Sequence, residues 1–260
     1  MPDTASASAA LGTPFETAIE FLQRKLDLPT ERWNDIWQSA HDRAFIVAGA
    51  AKADLLQDLH RAVIDAARDG GLRAFREQFD EIVARNGWTG WTGEGSDAGV
   101  AWRTSIIYRT NMSASYAAGR WQQLTEPAFA KQMPYWRYRH ADGVAHPRPE
   151  HEAWDGLTLP QSHPFWATHY PPNGWLCHCR VFAEQRPADG APTTPPPGWD
   201  QTDPATGAPP GIDPGFAYAP GASTATPLRD MIEAKLLNLE GPIGRAMMAE
   251  LEPVLAREGR

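Results

Sequence analysis

Between Tyr135 and Val181 the chain reads YWRYRHADGVAHPRPEHEAWDGLTLPQSHPFWATHYPPNGWLCHCRV, and this window holds six of the eight histidines, both cysteines and four of the eleven tryptophans. Imidazole, thiol and indole groups are concentrated this way where a small region is held in one shape without a large aliphatic core. Any fold for this chain has to bury those rings together and satisfy their polar edges.

The rest of the chain frames that window. The segment 1–13 is polar and lacks the basic and apolar regions of a signal peptide, so it reads as a disordered start. Thr13-Pro14-Phe15-Glu16 is a helix-start signature, and Phe15, Ala18, Ile19, Leu22 and Leu26 follow at helical spacing. Pro29-Thr30 is expected to end that helix and cap a second one carrying Trp33, Ile36, Trp37 and Ala40. A third helix, Ala50 to Arg68, sets Leu55, Leu56, Leu59, Val63 and Ala66 on one stripe and stops at Gly70-Gly71. A fourth uses Leu72, Phe75, Phe79, Ile82 and Val83 and ends at Asn86-Gly87.

Residues 87–99 read as a glycine-rich linker. Gly93-x-Gly95 lacks the third glycine and the preceding strand of a dinucleotide fingerprint. A long helix from Val100 to Leu124 follows. Its small residues Ser113, Ala114, Ala117, Ala118 and Gly119 allow another backbone to approach closely.

Tyr135 to Arg139 alternates as a strand, Pro149-Glu150-His151 starts a short helix carrying Trp154, and Trp175 to Phe182 is a second strand. The tract from Pro187 to Pro227, rich in Pro, Gly, Ala and Thr, reads as an extended arm with an apolar anchor at Gly215-Phe216-Ala217-Tyr218. Beyond it, Met231, Ile232, Leu236, Leu237 and Leu239 predict a helix broken at Gly241-Pro242, and a last helix runs to Leu255.

The fold class is therefore α+β. It comprises a helical domain over 14–125, a small α+β His/Cys-rich module over 126–186, a Pro/Gly-rich arm over 187–226 and C-terminal helices over 227–260.

Charge and cysteine usage limit the function classes. A net charge of −8 argues against a nucleic-acid coat, which needs a basic surface. No apolar run approaches the roughly 18 residues of a membrane span, and two cysteines make no disulfide framework, which fits a reducing cytoplasm. Residues 101–149 nevertheless carry seven Lys/Arg against two Asp/Glu. Arg103, Arg109, Arg120, Arg137 and Arg139 are thus candidates for a basic surface that meets an acidic partner or packaged DNA.

Cys177 and Cys179 lie two apart, so on a strand both sulfurs face the same way. That spacing is awkward for a disulfide and suits two thiolates on one tetrahedral ion, zinc being the natural choice. His151 and Asp142 are the candidate further ligands, with His140, His163, His169 and Asp155 as competitors. There is no second Cys-x-Cys or Cys-x-x-Cys knuckle. The rival reading is a hydrogen-bonded polar core with two buried thiols. A Cys-His nucleophile would pair Cys177 or Cys179 with His178 or His151, but His178 alternates to the opposite face.

Across the chain the order of these pieces resembles the phage Mu F-like minor head proteins. The resemblance is carried by Ala44-Phe45-Ile46-Val47-Ala48-Gly49, Gly87-Trp88, Trp102-Arg103, Tyr108-Arg109-Thr110-Asn111 and Ala118-Gly119-Arg120. It is most specific in Asp142, Arg148-Pro149-Glu150-His151, Gly156, Pro164-Phe165-Trp166, Pro171-Pro172-Asn173-Gly174-Trp175 and Cys177-His178-Cys179-Arg180. Asp213-Pro214-Gly215-Phe216 and Pro220-Gly221 look like the family's tail. His178 stands where the family usually places arginine. Arg148, Gly156, Trp166, Pro172, Gly174, Trp175 and Arg180 are the expected structural residues of the module.

The resemblance implies a structural, non-enzymatic head protein made in the bacterial host cytoplasm and built into the virion in multiple copies. Its partners would be portal and capsid proteins, with packaged DNA as a further one, and its roles head morphogenesis and genome delivery. It implies no catalytic residue. The alternatives are a phage-delivered nuclease-like effector using His151, His140 and Arg148, and a metal-stabilised DNA-binding module.

Overall fold

The computed structural model describes residues 15–35, 38–144 and 146–225. Helix α1 (Glu16–Gln23) buries Ala18, Ile19, Phe21 and Leu22. It ends before Leu26, and Leu26–Asp27 instead forms strand β1, parallel to β2 (Ala44–Phe45). Leu26, expected on the helix stripe, is consequently exposed.

The second expected helix does not form among the described residues. The Asp35 carboxylate accepts the main-chain N–H groups of Glu31 and Arg32 at 2.8 and 2.9 Å, tying this stretch into a turn. A 3-10 turn over Gln38–Asp42 follows. Trp33 is partly exposed, and Ile36 and Trp37 lie outside the described residues.

Helices α2 (Ala53–Arg68) and α3 (Gly71–Asn86) follow the sequence pattern closely. Leu55, Leu56, Leu59, Val63 and Ala66 of α2 are all buried against Phe75, Phe79 and Ile82 of α3. Gly70 and Gly87 take left-handed conformations at the two ends of α3, as helix punctuation requires.

The glycine-rich segment after α3 is more than a linker, because Trp88 and Trp91 are buried in this helical core and pack on Phe79. The Trp88 indole N–H donates to Gly49 O at 3.1 Å. Helix α4 (Asp97–Leu124) starts three residues earlier than expected, because Ser96 Oγ accepts the Gly99 N–H as an N-cap.

At 28 residues, α4 is roughly 42 Å long and serves two cores. Its first half contributes Ile107, with Val100, Tyr108 and Met112 at the margin, to the helical core. Its second half contributes Ala117 and Leu124, with Trp121 at the margin, to a second core. The small-residue run does what its composition suggested. A Cβ on Gly119 would lie 3.0 Å from Ala18 N and 2.9 Å from the Phe15 ring, so α1 crosses α4 in direct backbone contact.

The second core is built on a three-stranded antiparallel sheet with β3 (Tyr135–Arg139) in the centre. It is flanked by β4 (Thr158–Pro160) and β5 (Arg180–Glu184). Three short helices accompany it: α5 (Pro127–Gln132), α6 (Pro149–Ala153) and α7 (Phe165–His169). Strand β5 begins later than expected because Leu176 takes a positive φ of 56°, so Cys177 and Cys179 precede the strand.

The arm is not extended between residues 191 and 221. Ala208, Ile212 and Ala219 are buried in the second core, with Trp199, Phe216 and Ala217 packed against it. Gly221 N donates to Asp42 Oδ2 at 3.0 Å. This tract folds despite its composition because another surface holds it. A second compact unit spans residues 222–260, of which only the 3-10 turn Ala222–Ala225 is described; the expected C-terminal helices lie outside the described residues.

Two predictions follow from this packing. Gly119→Val forces apart α1 and α4 and should destabilise the protein by about 1–3 kcal/mol in urea denaturation. Lys25 is buried, its ammonium 5.1 Å from the Phe21 ring centroid. Burial pulls its pKa down to about 8, with the Asp42 charge opposing. The unfolded chain therefore binds more protons between pH 8 and the ordinary lysine range, so stability should rise with pH across that window. At neutral pH the penalty is present in full, so Lys25→Met should stabilise by on the order of 2–3 kcal/mol. That advantage should vanish above roughly pH 10 in pH-dependent denaturation.

Candidate functional site

The side chains that meet at the cysteines come from three places in the chain, the end of β3, α6 and the loop before β5. Helix α6 begins at Pro149, a first-turn proline, and turns His151 inward. The imidazole is 2% exposed, with its Nε2 2.8 Å from Gly211 O. That acceptor fixes the proton on Nε2 and leaves the Nδ1 lone pair facing the sulfurs. Cys177 Sγ and Cys179 Sγ lie 3.8 and 3.6 Å from His151 Nδ1. Although the cysteines are not on a strand, both are buried while His178 between them points out. No disulfide joins them.

The fourth participant differs from the expected one. Asp142 is turned to solvent and pairs with Arg139 at 2.9 Å, three residues before it in the chain. His140, at the end of β3, comes instead, its Nδ1 3.6 Å from Cys179 Sγ. Asp155 accepts the His140 main-chain N–H at 2.8 Å and also binds Arg139, so it positions the strand end and does not reach the cysteines. His163 Nδ1 accepts the Phe165 N–H at 3.1 Å at the start of α7, away from the cysteines.

His169 is stacked on Phe165. Its Nδ1 meets Thr168 Oγ1 at 2.8 Å, and burial lowers its pKa to about 4, so it is a neutral core ring.

The two thiols behave as one unit. A hydrogen bond from Cys177, acting against the cost of burial, holds Cys179 far below the usual thiol range. The same bond, with burial, pushes Cys177 up. Tyr138, whose hydroxyl donates to Asn173 Oδ1 at 2.9 Å, is held neutral by burial.

The residues expected to be structural explain why the loop around the cysteines keeps its shape. Arg148 Nη2 donates to Asp213 Oδ2 at 2.7 Å and to Trp175 O at 3.3 Å. The same carboxylate oxygen accepts the Trp175 N–H at 2.8 Å. It occupies the space where a Cβ on Gly174 would stand, so only glycine fits there. Pro172 is buried beside it.

Gly156 takes a φ of +80° and donates to Tyr138 O at 3.0 Å. Trp166 is buried and its indole N–H donates to Pro160 O at 3.0 Å. Trp175 meets Phe216 and Trp33 edge-on. Arg180 lies over the Tyr116 ring at 5.0 Å.

The five arginines do not share a face. Arg103 is buried, donates to Ala48 O and lies over Trp88, so it belongs to the helical core. Arg137 pairs with Glu184 at 3.0 Å, and Arg139 with Asp142 and Asp155. Arg120 is half-buried and donates to Gln123. Arg109 is exposed.

Two contributors were not among the expected site residues, Gly211 and Asp213. Both lie in the Pro/Gly tract, where composition masks them. The one signal was Asp213-Pro214-Gly215-Phe216, a tight turn with an aromatic.

A cleft of about 670 Å³ opens elsewhere on the surface, lined by Trp33, Trp102, Ile106, Trp175, Leu176 and Phe216 among others. Trp102 and Leu176 are 47% and 42% exposed, and together with their neighbours they give the cleft an apolar lining.

Asp213→Ala should remove both hydrogen bonds to its carboxylate and leave Arg148 without a counter-charge. A loss of about 1–3 kcal/mol is expected in denaturation, with near-ultraviolet circular dichroism of the tryptophans changing in the native state.

Comparison with known proteins finds relatives of this chain. Residues 55–182 match the family described as Phage Mu protein F like protein, a span from α2 into β5. The chain is 34% identical over 193 residues to the putative capsid assembly protein F of Escherichia phage Mu, covering 69% of this chain and 42% of that protein. It is 36% identical over 159 residues to the Mu-like prophage FluMu F protein of Haemophilus influenzae, covering 59% of this chain and 38% of that one. These matches span less than half the length of either relative. No solved structure matches.

Proposed function

We propose that this chain, which is Mu protein F-like, is a minor head protein of a tailed phage acting in head assembly. It would be made in the host cytoplasm and incorporated into the virion in multiple copies beside portal and capsid proteins. The observation that carries this reading is the 34% identity to a protein named for capsid assembly, which extends over 193 residues.

The physical character of the surface supports it. Trp102, Phe129, Leu176 and Phe182 are exposed, and Trp102 and Leu176 line the apolar cleft. Surfaces of this kind mark protein contacts. Genome delivery is the finer part of the proposal, tested by whether heads that lack the protein package DNA normally and fail only in ejection.

The nuclease-like alternative assigned work to His151, His140 and Arg148. His151 is buried with one ring nitrogen committed to Gly211 O and the other facing the sulfurs. Arg148 is committed to Asp213 and Trp175. These commitments weigh against a nuclease role for the two residues. A DNA-binding module would need a shared cationic face, and three of the five arginines are either buried or neutralised by carboxylates.

The test is incorporation. Tagged protein should co-purify with heads and with portal from infected cells, whereas Trp102→Glu should fold normally, within about 0.5 kcal/mol of the parent. Its incorporation should fall roughly tenfold or more, as for loss of a buried aromatic anchor. Failure of the parent chain to enter heads, or full incorporation of a nuclease-active chain with no role in assembly, rules the reading out.

A further inference from the structure

We infer that Cys177, Cys179 and His151 bind one thiophilic divalent cation of the zinc class, with His140, not Asp142, as the fourth ligand. This is independent of the head-protein reading, since the same centre would be present whatever the chain assembles with.

The first support is spacing. Zinc–sulfur and zinc–nitrogen bonds of ordinary length, set at tetrahedral angles, place sulfur and nitrogen about 3.6 Å apart. The separations from His151 Nδ1 are 3.6 Å to Cys179 Sγ and 3.8 Å to Cys177 Sγ. His140 Nδ1 lies 3.6 Å from Cys179 Sγ. The Sγ, Sγ and Nδ1 atoms of the first three residues all lie within 4.8 Å of one another, and all three residues are buried.

The second support is orientation. Metal-binding histidines donate their other ring N–H to a carbonyl or carboxylate, which fixes the tautomer and aims the lone pair. His151 meets Gly211 O at 2.8 Å through Nε2, which leaves Nδ1 as the coordinating atom. The carbonyl comes from a residue with a φ of +79°. There a Cβ would strike Glu150 and Trp154 at 2.6 and 2.7 Å. The backbone has been brought unusually close to place that acceptor.

The third support is the choice of ligands. Two thiolates and imidazole nitrogens select zinc-class cations over magnesium or calcium, which prefer oxygen. Asp142 is excluded by position, being exposed and tied to Arg139. His140 is half-buried and already meets Cys179; a shift of its ring toward the other three ligand atoms, which alone lie within 4.8 Å of one another, completes four ligands. The module is small and aromatic, and a metal contributes folding free energy where a core is limited.

The experiment uses the full chain, reduced and stripped with chelator, then titrated with Zn²⁺ alone and separately with Co²⁺. An equimolar complex is expected, with a sulfur-to-cobalt charge-transfer band and a rise in Tm on zinc addition. Asp142→Ala should bind like the parent, His140→Ala more weakly, and Cys177→Ser/Cys179→Ser not at all. Absence of the charge-transfer band in the reduced parent chain overturns the proposal even if the cysteine variant fails to fold. Loss of binding in Asp142→Ala with none in His140→Ala overturns the assigned fourth ligand.

Discussion

One carboxylate oxygen keeps the second half of this protein in register. Asp213 Oδ2 accepts from the Arg148 guanidinium and from the Trp175 main-chain N–H. It thereby joins the approach to α6, the turn before the cysteines and the returning Pro/Gly tract at a single atom. Gly174 has no side chain because that oxygen occupies the space. Two residues earlier, Gly211 places its carbonyl on His151. If the tract did not come back, His151 would lose the acceptor that sets its tautomer and the Trp175 turn would lose its staple.

The two cores solve the burial problem differently. The helical core is chiefly aliphatic and phenylalanine-lined, with Leu55, Leu56, Leu59, Phe75 and Phe79 meeting across α2 and α3. The second core is built largely of rings, in which Trp136, Tyr138, Trp154, Phe165, Trp166 and Tyr170 contact one another mostly edge-on. Large rings bury more area per residue than aliphatic side chains. A short sheet can therefore have an interior at all, and the His/Cys cluster sits at its edge.

What could be read from the chain divides along physical lines. α2, α3 and the family resemblance were legible because a one-sided apolar stripe with glycine stops, or a run of unusual residues, survives translation into structure almost unchanged. The convergence of His151 with Cys177 and Cys179 was legible from residue type, although the strand that was to align the sulfurs starts only at Arg180. The Trp33 helix was not legible, because a single side chain, Asp35, captured two N–H groups locally. Asp142 was misplaced because an arginine three residues away offered a solvent-exposed partner. The Pro/Gly tract was misread because composition describes what a segment can do alone, and this one is held by groups far away in the sequence, such as Arg148 and Trp175 on Asp213 and Asp42 on Gly221.

Helix α4 gives the molecule a mechanical property. A single uninterrupted rod embedded at one end among α2 and α3 and packed at the other, through its Trp121, on Trp136 and Tyr170 has no joint at which bending could be absorbed. Load applied to the aromatic end is passed along the rod to the aliphatic end.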